Sequence, residues 1–146
     1  MKFIVPGEPT GKGRPRVVRN GALTRAFTPQ KTASYENLVK LEYQSQSKGA
    51  TFDNRQIRMD IKAYYALAKS DSKRRRMEKL SGALRPTKKP DIDNVYKIVA
   101  DALNGIAYRD DSQIVAASIE KHYAEQPRVE IEITEVQHES LLNFGC

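Results

Sequence analysis

Four aspartates in two short stretches are the residues of this chain best suited to chemistry. Asp91 and Asp93 stand in Lys89-Pro90-Asp91-Ile92-Asp93-Asn94. Asp110 and Asp111 stand in Tyr108-Arg109-Asp110-Asp111-Ser112. Carboxylates gathered at one place repel one another unless a cation lies between them. Mg²⁺ suits such a set, because it takes hard oxygen ligands, usually one or two carboxylates with water and substrate phosphate completing the shell. Lys97, one helical turn after Asp93, would stand ready to steady a phosphate or a developing negative charge. The same residue types also serve plainer ends. Aspartate caps helices, an Asp93/Lys97 pair can be a surface ion pair worth about 0.2–0.5 kcal/mol, and Asp-Asp-Ser is ordinary turn composition. Spacing alone leaves both readings open.

The elements that would hold these residues follow from periodicity. Pro90 disfavours helix in the residue before it, so a helix is expected from about Asp91, with Asp91 as N-cap and Gly105 as its stop. Ile92, Val95, Tyr96, Val99, Ala102 and Leu103 gather on one side of that helix. Asp93, Asn94, Lys97, Asp101 and Asn104 gather on the other. After Asp111, residues 113–124 alternate as a strand, with His122 a surface strand residue. Residues 128–136 are the clearest strand, turning Val129, Ile131 and Ile133 inward. Upstream, residues 2–6 form a first strand and Asn20-Gly21 marks a hairpin. A helix opens at Thr28-Pro29 and runs to about Ser47 on Tyr35, Leu38, Val39 and Tyr43, with Leu41 as a further candidate. Residues 57–67 alternate, with Ile57, Met59, Ile61, Ala63 and Tyr65 on one face. Residues 70–80 predict a very basic helix, capped by Ser70 and anchored only by Met77 and Leu80, so loosely packed or docked on a partner. The order predicts one α+β domain over residues 1–146, a small mixed β-sheet with flanking helices.

The net charge is +7, and it is segregated. Residues 10–31 carry six basic side chains and no acid; residues 69–89 carry nine basic and two acidic ones. That pattern fits a polyanion binder, with a merely solvated charged face as the alternative. Lys12, Arg14 and Arg16 alternate in a glycine- and proline-rich segment, so an extended chain would set them on one side, suited to follow a phosphate backbone. Arg19, Lys73, Arg74, Arg75, Arg76, Lys88 and Lys89 complete the candidate DNA contacts. The single cysteine, Cys146, excludes an internal disulfide framework and cysteine-based zinc sites. Two histidines make a histidine-rich metal site unattractive. The sequence has no apolar run of membrane-spanning length and no signal-peptide pattern at its start, so a cytoplasmic protein is expected.

Three blocks in order resemble the RusA-type Holliday junction resolvases, a family common in phages and prophages. They are Val5-Pro6-Gly7-Glu8-Pro9 with Lys12-Gly13-Arg14-Pro15-Arg16; Lys89-Pro90-Asp91-Ile92-Asp93-Asn94 with Lys97 and Asp101-Ala102-Leu103-Asn104-Gly105; and Tyr108-Arg109-Asp110-Asp111-Ser112-Gln113-Ile114. The resemblance covers nearly the whole chain. It implies a RusA-like fold and a homodimeric, Mg²⁺-dependent endodeoxyribonuclease, with Mn²⁺ substituting and no organic cofactor. Its partner would be branched DNA, the four-way junction, resolved by paired symmetric nicks in bacterial or phage recombination and repair. It further implies that Asp91, Asp93 and Asp111 hold metal and that Lys97 is the catalytic lysine. Asp110 would be a ligand, an outer group or a turn former. The resemblance leaves open whether the basic segment 69–85 follows the family pattern or is a lineage-specific insertion with no part in DNA contact.

Two other functions remain on the sequence. A metal-dependent nuclease of other specificity, acting on flaps or duplex, would carry the same residues, since junction shape is read through geometry and backbone contacts. A non-catalytic basic DNA-binding protein would have no use for four carboxylates beside a phosphate path.

Overall fold

The structure is a computed structural model that describes residues 1–13, 16–20, 23–27 and 30–137, the two short segments 16–20 and 23–27 by backbone alone. Strand β1 spans Lys2–Pro6, β2 Arg16–Asn20 and β3 Leu23–Phe27. Helix α1 spans Gln30–Ser47, β4 Ile57–Ala66, α2 Lys73–Leu80 and α3 Ile92–Ala102. A 3₁₀ turn at Asp111–Gln113 leads into β5, Ile114–Ala124, and β6 spans Arg128–Glu135. Four strands form one mixed sheet in the order β1-β6-β4-β5. β6 pairs antiparallel with both β1 and β4, whereas β5 pairs parallel with β4. A parallel neighbour needs a long crossover, and here the crossover contains α2 and α3. β2 and β3 form a separate antiparallel hairpin, as the Asn20-Gly21 turn signal predicts. The α+β architecture expected from the element order is what the chain adopts.

The core lies on one face of this sheet. In β4 the residues Ile57, Met59, Ile61, Ala63 and Tyr65 are buried, the alternation read from the sequence. Val129, Ile131 and Ile133 of β6 join them, with Phe3 and Val5 of β1. Over this face lie Tyr35, Val39 and Tyr43 of α1, and Val95, Ile98, Val99 and Ala102 of α3. Burial of this apolar surface holds α3 in place. Two buried tyrosines add specific ties: Tyr65 Oη donates to the Pro90 carbonyl at 2.6 Å, and Tyr108 Oη to the Ala100 carbonyl at 2.7 Å. The first of these fixes the start of α3 to the centre of the sheet, next to Asp91.

Several expectations are corrected. Leu41 is 64% exposed and takes no part in the α1 stripe. Ile92 is 45% exposed at the first residue of α3, and Ile98, fully buried, fills the apolar face instead. Helix α2 is capped by Ser72, whose Oγ accepts from Arg75 N at 3.2 Å, rather than by Ser70. Met77 and Leu80 do not anchor α2. They are 70% and 45% exposed. The anchor is Lys79, which is 6% exposed. Its ammonium is 2.7 Å from Asp71 Oδ2 and 4.6 Å above the Tyr123 ring of β5. A lysine can be buried when its charge is paired and its stem packs against apolar surface. His122 stacks on Tyr64 and contacts Glu120, all on the outer face of the sheet, as a surface strand residue does. Thr28-Pro29 and the tail Leu141–Cys146 lie outside the described residues. Among the described residues no helix is long and apolar enough to cross a membrane.

Candidate active site

Helix α3 presents the acidic motif as the sequence spacing requires. Asp91 is its N-cap residue by backbone conformation (φ −73°, ψ 158°), yet its side chain makes no capping hydrogen bond. Among the described residues its carboxylate has no hydrogen-bond or ion-pair partner, and it is exposed. Asp93 and Lys97 are exposed on the polar face one turn apart, and neither enters an ion pair among the described residues. At about 100° per residue, Asp101 continues this face toward α1, while Tyr96 and Ala100 lie on its other flank. There the Tyr108-Asp111 turn packs. Burial first, then the charges of Asp111 and Asp101, hold the Tyr96 phenol above its ordinary value. Burial and then Asp111 act on Tyr108 in the same sense. Asp111 is half-buried at the first residue of the 3₁₀ turn that leads into β5. At the helix start, burial followed by the charges of Asp91 and Glu8 pushes the Tyr65 phenol up to about 12. Glu8 bears on the same phenol as Asp91, a relationship that sequence reasoning missed. The only hint was its position inside the Pro6-Gly7-Glu8-Pro9 block.

Asp110 is engaged differently. Its carboxylate accepts from Ser112 N at 3.2 Å, closing a capping box in which Gln113 Oε1 accepts from Asp110 N at 3.0 Å. Hydrogen bonds from Ser112, side chain then backbone, hold the Asp110 carboxyl below the usual carboxylate range. Of the three alternatives for Asp110, turn former is the role visible in its contacts.

The segment before β2 crosses the start of α3. Lys12 N donates to the Asn94 carbonyl at 3.0 Å, and Gly13 N to Thr32 Oγ1 at 3.0 Å. Gly11 lies so close that a Cβ there would sit 2.8 Å from Pro90 Cβ and 3.0 Å from Asn94 Cβ. Between this strap, the first turn of α1 and the first turn of α3 opens a cleft of about 690 Å³, lined by Gly11, Lys31, Thr32, Lys89, Asp91 and Asn94. Two helix N-termini and two lysines face one space there, an arrangement that favours an anion.

The candidate DNA contacts divide into groups. Lys12 does not offer a free charge, because its ammonium contacts Glu36 and lies 3.3 Å from Asp101 Oδ2. Partial burial opposes that charge, but the hydrogen bonds it donates to both acids, together with their negative charges, outweigh it and hold the ammonium above its ordinary value. Lys88 and Lys89 are exposed beside Asp91. On α2, Lys73 and Arg74 project outward, while Arg75 lies 3.7 Å from Asp71 and Arg76 3.5 Å from Glu125. Arg14 and the side chains of Arg16 and Arg19 lie outside the described residues. Lys31, which sequence reasoning did not single out, lines the cleft.

The donor chemistry suits a hard divalent cation: Asp91, Asp93 and Asp111 are carboxylates free of ion pairs among the described residues, with lysines nearby. The described residues do not, however, gather three or more acidic, histidine or cysteine side chains into one coordinating group.

The mixed sheet thus carries an acidic helix start that opens on a cleft lined by Lys31 and Lys89. The chain belongs to the RusA endodeoxyribonuclease family, whose description, "Endodeoxyribonuclease RusA", matches residues 6–134. It is a hydrolytic nuclease. It is 43% identical over 139 residues to "Uncharacterized protein YqaN" of Bacillus subtilis (strain 168), covering 93% of this chain and 96% of that protein. It is 47% identical over 51 residues to "Crossover junction endodeoxyribonuclease rusA" of Lactococcus phage r1t, covering 34% of this chain and 39% of that protein.

Proposed function

We propose that this nuclease resolves Holliday junctions by paired, symmetric, Mg²⁺-dependent nicks, acting as a homodimer. The observation that carries the reading is the uncommitted Asp91 carboxylate at the start of α3, with Asp93 one residue on, opening on the cleft of Lys31 and Lys89 in a chain of the RusA family. Asp91, Asp93 and Asp111 are the carboxylates that would hold the ion, drawn together by it, since without it they do not form one coordinating group. When bound, Mg²⁺ supplies Lewis-acid polarisation of the phosphate and a more acidic water. Lys31, Lys89 and the first-turn N–H groups of α1 and α3 bind the phosphodiester and orient it against Asp91. Lys97 neutralises charge that builds on the phosphate oxygens during in-line attack. Water oxygen forms the new P–O bond as the P–O3′ bond breaks. The water proton passes to solvent and the departing 3′ oxygen takes one up, leaving a 5′-phosphate and a 3′-hydroxyl. Two coordinated cuts on a near two-fold junction call for two equivalent sites, which a C2 dimer supplies.

The deciding experiment compares a synthetic four-way junction with linear duplex of the same sequence, in Mg²⁺ and in EDTA, with Asp93→Asn in parallel. Paired nicks on the junction alone, lost in EDTA and in the variant, are expected. Equal cutting of linear duplex would replace this reading with a general nuclease, and tight binding without cutting in any metal would remove the catalytic assignment.

A further inference from the structure

Helix α2 combines features that stability alone does not call for. Its first turn carries Lys73, Arg74, Arg75 and Arg76 and no acid. Cations at a helix N-terminus oppose the macrodipole, so these side chains weaken the helix that bears them. The helix is nevertheless held firmly from its inner side by Lys79 on Asp71 and Tyr123. At about 100° per residue, the pole opposite Lys79 is Met77, the most exposed large apolar side chain among the described residues. Lys73 and Arg74 precede Met77 by one turn on the same outer side, and Leu80 follows it at the flank. Among the described residues Arg74 has one partner, an exposed pair with Glu78 at 3.3 Å, which solvent screens.

Helix α2 packs at the end of the sheet where Tyr123 pairs with Tyr65, the end at which Asp91 stands. α2 follows the C-terminal end of β4, where Tyr65 Oη reaches the Pro90 carbonyl beside Asp91. Lys121 of β5 ties the same region by donating to the Lys88 carbonyl at 2.6 Å. An exposed thioether with Lys73 and Arg74 on one side, and Glu78 and Ser81 beside it, fits a polyanion with an apolar interior, namely DNA with its stacked bases. Proteins that kink DNA insert such apolar wedges, methionine included, between base steps. Methionine is unbranched and polarizable, which suits contact with an aromatic face.

We propose that Met77, supported by Leu80, is a specificity residue. It enters the base stack at the branch point of the DNA while Lys73 and Arg74 hold the flanking phosphates. In linear duplex the wedge must first unstack a step. At a branch point stacking is already interrupted, so the insertion favours branched over linear DNA. This rests on the nuclease reading above, and it assigns branch discrimination to α2 rather than to the acidic cleft.

The test uses the full chain in Ca²⁺ or EDTA to hold cleavage off. The probes are four-way junctions carrying 2-aminopurine at the branch point or in mid-arm, beside linear duplex. Wild type should raise branch-point fluorescence and leave the mid-arm probe unchanged. Met77→Ala should abolish most of that rise and reduce junction affinity about tenfold, the order contributed by one stacked base, with duplex affinity unchanged. Met77→Leu should retain both signals. Because Met77 is exposed, thermal melts of all three proteins should coincide. No branch-point rise with wild type, or Met77→Ala matching wild type on the junction, would overturn the proposal; the latter would return the Met77 face to a protein-docking role. Equal loss on junction and duplex would overturn it as well, reducing Met77 to a general contact. Junction cleavage in Mg²⁺ is scored separately. If Met77→Ala cuts with wild-type preference, the wedge alone fails. If wild type does not cut junctions at all, the nuclease reading fails.

Discussion

Lys12 Nζ lies 3.3 Å from Asp101 Oδ2, with Glu36 Oε1 on its other side. One ammonium thereby joins three elements: the strap crossing α3, the helix α1 and the helix α3. Spacing in the chain assigns Lys12 to a phosphate backbone alongside Arg14 and Arg16. Its surroundings assign its charge to the inside of the protein.

Lys12→Met should accordingly cost stability more than DNA binding. A half-buried, partly screened pair of this kind is worth about 1 kcal/mol, which lowers the melting temperature by about 2–4 °C in a domain of this size. Junction affinity should stay within about twofold of wild type, the scale of one rim charge. A large affinity loss with an unchanged melt would restore Lys12 to the DNA interface.

The lysines of the cleft should behave in the opposite way. Lys31→Ala and Lys89→Ala remove exposed charges, so melting temperature should hold. Each lost phosphate contact should lower the slope of log affinity against log salt by about 0.9 on duplex arms. A titration across salt concentrations reads this directly. Unchanged slopes would mean that DNA does not enter the cleft.

Removing carboxylates should separate ligands from turn formers. Asp91→Asn, Asp93→Asn and Asp111→Asn should each lower the nicking rate by about 10²-fold or more, as loss of transition-state charge stabilisation does. Junction binding should remain or strengthen. Asp110→Asn keeps a good N-cap and should cost less than about tenfold, within the range of a positioning effect. In wild type, millimolar Mg²⁺ should raise the melting temperature by mass action, and Asp93→Asn should blunt that rise. An unchanged melt in Mg²⁺ would count against metal at this site.

These contrasts mark where sequence is readable and where it is not. Strict alternation placed β4 and β6, and the 3.6 period placed α3, because a core face imposes its spacing on neighbouring residues. The acidic face of α3 was legible for the same reason. Lys79 was not legible. A lysine in Lys73-Arg74-Arg75-Arg76-Met77-Glu78-Lys79-Leu80 reads as solvated, and its burial depends on Tyr123 of a strand far along the chain. Lys12 and Glu8 were illegible likewise, since their neighbours come from other elements. That Asp91 caps nothing is a matter of side-chain orientation, which composition does not carry.

Acid should release α2. Lys79 first, with Ala68 N and Arg75 adding to it, holds the Asp71 carboxyl below the usual carboxylate range. A depressed carboxyl value means the folded state binds the proton less readily than the unfolded chain does. The contribution is complete above the unfolded value of about 4 and fades as pH falls through the lower folded value. Amide exchange, corrected for intrinsic rate, should therefore show α2 opening below about pH 4 while β4 and α3 stay protected. Protection of α2 that persists with β4 through the acid range would sever this link.

The closest test of how the strap sets the candidate active site is Gly11→Ala. The added methyl would meet Pro90 Cβ at 2.8 Å and Asn94 Cβ at 3.0 Å. Neither atom can swing away, since each sits next to the backbone. Either the strap lifts from α3, lengthening the bond from Lys12 N to the Asn94 carbonyl, or the Pro90–Asp91 corner moves. Over-packing of this kind costs about 1–3 kcal/mol, so the protein should still fold with a melting temperature lower by several degrees. Nicking should fall further than stability does, because a shift of about 1 Å at the catalytic group can cost about 10²-fold. Comparing the single-turnover nicking rate with junction affinity separates the two effects. A rate loss at near-constant affinity is expected. A wild-type rate would show that the strap and the Asp91 corner are not mechanically coupled.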